Sequence, residues 1–141
     1  MPIKIFNMPI QWNEEHSVNV KELDDQHKIF ISLLNRSYDL IHSQGSQKDL
    51  KNILADLIDY AVNHFNAEEK YFDLYNYENL FEHKEEHKKL KKQVLDFQKD
   101  FLAGKKDITV ELIDFLEDWL IDHLGSQDKK YSKCFNEHGL Y

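Results

Sequence analysis

The chain has 141 residues, 41% of them hydrophobic and 13% aromatic, and carries a net charge of −8 from 18 basic and 26 acidic side chains. That is one domain's worth of chain with enough apolar mass to bury a core unaided, which excludes a disordered segment. The acidic balance, with no basic stripe interleaved with aromatics, argues against nucleic acid as a partner.

In chain order, the first nineteen residues read as an arm: both prolines fall at Pro2 and Pro9, and Trp12 and several isolated apolar residues should pack across one end of the fold. The arm lacks the long apolar run of a signal peptide or membrane span, and the single cysteine, Cys134, allows no internal disulfide. A cytoplasmic protein with no membrane partner is expected. Cys134 reads as a small hydrophobe without chemistry.

From there the apolar residues recur at three- and four-residue steps, the period of helices. A first helix is predicted over about 20–43, with Val20, Leu23, His27, Phe30, Leu34, Tyr38 and Ile41 on its inner face and a stop around Gly45. A second, over about 48–75, carries Leu50, Leu54, Leu57, Ala61, His64, Glu68, Phe72 or Tyr71, and Tyr75 on one face. A third, over about 78–102, carries Leu80, His83, His87, Leu90, Val94, Phe97 and Phe101 and ends before Gly104. A fourth, over about 108–124, carries Leu112, Leu116, Trp119 or Leu120, and His123, and leaves 125–141 as a short C-terminal segment. The expected architecture is all-α, an up-down-up-down antiparallel four-helix bundle.

Polar residues interrupt every one of these seams: His27, His64 with Glu68, His83 with His87, and His123. Residues four apart on a helix differ by about 40° around its axis, so His64 and Glu68 project together, as do His83 and His87. A lone histidine on such a seam is ordinarily a hydrogen-bonded core residue, but five on four seams with a buried carboxylate call for a cation between the helices. The stretch HKEEH at 83–87 nearly spells the zinc-protease H-E-x-x-H, yet Lys84 stands where the glutamate base would be.

Asp128 follows His123 by five residues, about 140° on an ideal helix, and would face away from it. The expectation is that the helix yields around Gly125 and Ser126 and returns Asp128 to the interior. Five imidazoles and two carboxylates exceed the four ligands of one tetrahedral zinc and suit two metal ions sharing carboxylate bridges. Nitrogen-rich coordination favours iron, though spacing leaves manganese, zinc and copper open.

The motifs DDQHKIF (24–30), HFNAEE (64–69), HKEEH (83–87), WLIDH (119–123) and HLGSQD (123–128) resemble the hemerythrin family, in order and spacing across nearly the whole chain, and IQW at 10–12 resembles the tryptophan-containing arm of its single-domain bacterial members. The resemblance implies a non-haem di-iron centre, two iron ions per chain with an oxo or hydroxo bridge. His83, His87 and His123 would bind one iron and His27 and His64 the other, with Glu68 and Asp128 bridging. It further implies a binding protein rather than an enzyme, which takes up dioxygen reversibly, as a hydroperoxide, at the vacant position of the two-histidine iron.

By position relative to the ligands, Phe30, Ile31, Phe65, Trp119 and Leu124 are candidates for an apolar, water-poor dioxygen pocket. A sensor, or a di-iron protein reacting with peroxide or nitric oxide, would use the same ligands. A ferritin-like oxidase would not, because no glutamate here is followed three residues later by histidine. An oxygen-using enzyme is a candidate recipient, and the chain is expected to be a monomer or weak oligomer. His16, His42 and His138 are expected to stay off the metals, and Tyr77 and Tyr131 to serve as packing.

Overall fold

A computed structural model describes residues 9–43 and 46–141. Residues 1–8 of the expected arm and the Gly45 stop lie outside the described residues. After a 3₁₀ turn at Glu14–His16 come α1 (Lys21–His42), α2 (Gln47–Leu74), α3 (Leu80–Leu102) and α4 (Ile108–Asp118). The last continues without a break as a π-helix, Trp119–Gln127, then a 3₁₀ turn, Asp128–Tyr131, and a short α5, Ser132–Glu137.

Local sequence explains where these helices start and stop. Ser46 caps α2 by accepting from the Asp49 amide at 3.2 Å, while the Asp49 carboxylate accepts from the Ser46 amide. Before α1, Asp24 reaches back to accept from the Val18 amide and the Ser17 hydroxyl, at 2.8 and 2.6 Å. Gly104, at φ +76°, ends α3 in the left-handed conformation that a side chain disfavours. The third helix begins two residues later than expected, because Glu78 and Asn79 form the turn after Tyr77.

Consecutive helices pack as neighbours and α4 closes the ring against α1, the arrangement of an antiparallel four-helix bundle. No strand occurs among the described residues. Phe30, Leu34, Leu54, Leu57, Leu112 and Leu116 are all but completely buried along the seams, each side chain contributing roughly 1.5–3 kcal/mol. Ile41, expected inside, is 39% exposed: near the end of α1 the seam continues through Leu40 instead.

One carboxylate in this part of the core has a partner within the chain. Glu117 of α4 is buried and accepts a 2.8 Å hydrogen bond from the Tyr38 hydroxyl of α1. Nearer the other end a second cluster forms, where Val18, Val20 and Leu23 meet Tyr71, Phe72, Tyr77, Tyr131 and Phe135.

The described part of the arm runs beside α1 and not across one end. Ile10 exchanges two backbone-to-side-chain hydrogen bonds with Asn35, at 2.8 and 2.9 Å, and Trp12 packs on the core with the Lys28 ammonium 5.2 Å above its ring. Asn35 lies well along α1, so the arm descends the helix before turning in at Val18.

Candidate metal centre

Between the two apolar clusters the four seams converge on seven buried polar side chains. His27 projects from α1, His64 and Glu68 from α2, His83 and His87 from α3, and His123 from the π-helix. Asp128 follows in the 3₁₀ turn, and all seven are 3% exposed or less. Their ligand atoms fall into two overlapping groups, each with every atom within 4.8 Å of the others. One holds Glu68, His83, His87, His123 and Asp128; the other holds His27, His64, Glu68 and Asp128.

The carboxylates divide their oxygens between the groups. Asp128 Oδ1 lies 2.9 Å from His83 Nε2 and 3.1 Å from His123 Nε2, while Oδ2 lies 3.0 Å from His27 Nε2. Glu68 Oε1 lies 3.0 Å from His87 Nε2, and Oε2 lies 3.4 Å from His64 Nε2. Each carboxylate thus turns one oxygen toward the group that holds His83, His87 and His123 and the other toward the group that holds His27 and His64.

Only part of this proximity is hydrogen bonding, namely the pairing of Asp128 with His27 and His83. Both Glu68 oxygens and the Nε2 atoms of His87 and His123 lack a partner in bonding geometry, and the Nε2 atoms of His27 and His64 face each other at 3.1 Å. Leaving such atoms unpaired in a dry interior costs about 1–3 kcal/mol each, more when charged. Divalent metal would satisfy this donor set, since neutral imidazoles and carboxylates are ordinary ligands for transition metals.

Outer partners fix two of the rings. His64 Nδ1 pairs with Gln26 Oε1 at 2.6 Å, and His87 Nδ1 with Glu69 Oε2 at 2.8 Å. A proton on each Nδ1 leaves the Nε2 lone pair aimed at the centre.

The electrostatics of the chain by itself reflect the same crowding. Burial pulls the His64 imidazole toward neutrality, but the Glu68 and Asp128 carboxylates outweigh it and hold its pKa up at about 9. Burial would raise both carboxyls, and their mutual repulsion adds to this at Glu68, yet the surrounding imidazoles hold both below the ordinary range. Protons on the histidines occupy the place that cations would take, so metal uptake displaces protons.

Asp128 reaches the centre because the backbone changes pitch. The expected departure from α-helix at Gly125 begins six residues earlier, at Trp119, and takes the form of a π-helix. Its hydrogen bonds run from residue i+5 to i, and the Asp128 amide donates to the His123 carbonyl, so residues five apart share a face. Gly125 fits this turn: a Cβ there would lie 3.1 Å from the Leu120 carbonyl oxygen.

The five pocket candidates are all buried. Phe30 and Phe65 flank Trp119, with ring centroids 5.0 and 5.6 Å away, and Phe65 stacks on His87 at 3.9 Å. Ile31 and Leu124 belong to the same core cluster. One residue of this wall escaped the sequence pattern: Tyr60, a turn before His64, stacks on the His64 ring at 5.2 Å. Its signal was the helical step from Leu57 through Tyr60 to His64, masked by Ala61, which fits the same face. Tyr131 is also more than distant packing, since its ring lies 5.9 Å from that of His83. Burial and then the Glu68 and Asp128 charges hold its phenol well above the usual value. His16, His42 and His138 fall in neither ligand group.

A four-helix bundle with a buried histidine and carboxylate cluster at its centre that could hold metal defines a class of metal-binding protein. The family profile described as the hemerythrin HHE cation binding domain matches residues 18–134. Bacteriohemerythrin of Methylococcus capsulatus is 35% identical over 122 residues, covering 86% of this chain and 92% of its own length. Myohemerythrin-1 of Phascolopsis gouldii is 34% identical over 128 residues, covering 87% and 92%. The crystal structure of wild-type hemerythrin superposes with a TM-score of 0.81 at 34% identity, over 90% of this chain and 98% of that one. The chain belongs to the hemerythrin family, whose members bind dioxygen at a di-iron site and are binding proteins rather than enzymes. No described helix is long and apolar enough to cross a membrane.

Proposed function

We propose that this chain binds dioxygen reversibly at two iron ions. His83, His87 and His123 hold one, His27 and His64 hold the other, and Glu68 and Asp128 bridge them. The observation that carries this reading is the uneven division of imidazoles around evenly shared carboxylates: three on one side, two on the other. A metal with two histidines keeps a position open for a small ligand, whereas a purely structural pair has no use for one.

Two ferrous ions held by these residues would supply the two electrons that reversible dioxygen binding needs. The chain supplies the rest. Gln26 and Glu69 orient His64 and His87, and the two carboxylates fix the spacing of the pair. Phe30, Ile31, Phe65, Trp119 and Leu124 exclude water, which slows loss of charged products and proton leakage. We place this activity in the cytoplasm, with storage or delivery to an oxygen-using enzyme as its use.

The test is an optical spectrum of protein loaded anaerobically with ferrous iron and carried through cycles of air and nitrogen, with iron counted per chain. A charge-transfer band that appears in air and disappears under nitrogen, at two irons per chain, is the expected result. A single irreversible conversion to the ferric form would instead indicate redox or sensing chemistry.

A further inference from the structure

Tyr60 stands in the wall of the site with a hydroxyl that no described residue uses. Its side chain is 5% exposed, and Oη is sealed from solvent without a hydrogen-bond partner. The ring lies between those of Phe30, at 5.6 Å, and Trp119, at 6.1 Å, and runs nearly parallel to the His64 ring, at 15°.

The hydroxyl had a wetter alternative. Tyr60 and His64 also line the floor of a surface groove of about 460 Å³ between α1 and α2, among Asp56, Asp59 and Asn63. Oη is nevertheless out of solvent reach, and the charges that bear on it are those of Asp128 and Glu68. Neither carboxylate accepts from it.

A buried hydroxyl without an acceptor is costly, and phenylalanine would fill the same volume without that cost. A phenol keeps its proton at neutral pH and so offers a donor here. No acceptor among the described residues meets it, which leaves one brought to the site from outside. Trp119 Nε1, the other orphan donor in this wall, is likewise without an acceptor.

We infer that the Tyr60 hydroxyl donates a hydrogen bond to the small ligand at the open position of the His27/His64 metal: dioxygen in function, or a small anion in its place. This rests on the di-iron reading above and adds a ligand-contacting residue to it.

The experiment uses azide on the diferric protein and compares wild type with Tyr60→Phe. The variant should release azide about tenfold faster and should lose the difference between H₂O and D₂O seen in the wild type. Stripped of metal, the variant should unfold at a higher denaturant concentration than the wild type, because an unpaired hydroxyl has gone. Equal azide release at two irons per chain would overturn the inference, and so would a less stable metal-free variant, which would reveal a partner inside the chain. Identical azide release by the wild type in H₂O and D₂O would also overturn the inference, since it removes the hydroxyl from the ligand. A wild type that fails to hold two irons or to bind azide would overturn the di-iron reading itself, and the role of Tyr60 with it.

Discussion

Glu117 and Glu68 are both buried in this bundle, on α4 and α2, and their surroundings differ in kind. Glu117 receives a phenolic hydrogen bond from Tyr38, and neither of its oxygens is sealed off without a partner, so the chain itself supplies a donor for its charge. Glu68 has imidazole nitrogens at 3.0 and 3.4 Å and no hydrogen bond of proper geometry to either oxygen. One carboxylate belongs to a finished core and the other to a core that is completed from outside. Burial alone does not mark a functional acid; the lack of an internal partner does.

The strongest way to break the comparison is Glu68→Gln. Both ligand groups share this residue, so the variant should bind fewer than two irons per chain, a loss read by metal analysis after gel filtration. A variant that retains two would end the claim that Glu68 bridges.

Removing the metal tests the same point without a mutation. At free metal about a thousand times Kd, binding adds about 4 kcal/mol to folding stability. Chelation should therefore lower the unfolding temperature, and the temperature should track metal concentration in calorimetry. A temperature indifferent to metal would make the centre a finished core like that around Glu117.

Tyr38→Phe makes the reciprocal change, leaving Glu117 without its donor. It should cost about 1–3 kcal/mol in urea unfolding and leave the iron content at two. Iron loss in this variant would mean that the two regions are not separable. Finally, Leu124→Asn puts an amide into the proposed pocket wall and should speed autoxidation about tenfold, roughly 1.4 kcal/mol in barrier. An unchanged rate removes Leu124 from the pocket while leaving the ligands in place.

Most of the bundle was legible because each seam has a strong helical period, and the histidines on it stand out as polar breaks in that period. His27, His64, Glu68, His83, His87 and His123 could be placed on inner faces from spacing alone. Asp128 could not, because ideal helix geometry points it outward; its inward position depends on a change to π pitch that starts at Trp119, well before the glycine that suggested a break. Ile41 was misplaced because a seam near a helix end shifts by one residue at little cost, and Leu40 took its place. The path of the arm depends on Ile10 meeting Asn35, a contact between residues 25 apart that no local pattern encodes. Tyr60 was hidden by Ala61, since two adjacent residues can both border a broad inner face.

Asp128 is shared by both ligand groups and lies 101 residues beyond His27. During synthesis neither group is complete until residue 128 has left the ribosome, several seconds after His27 at roughly 5–20 residues per second. The helices and histidines already made during that interval therefore lack the one carboxylate that both groups share besides Glu68. Nascent chains stalled before residue 128 should bind metal only weakly, and those released after it should take up both ions together, so the last ligand made sets the timing of maturation.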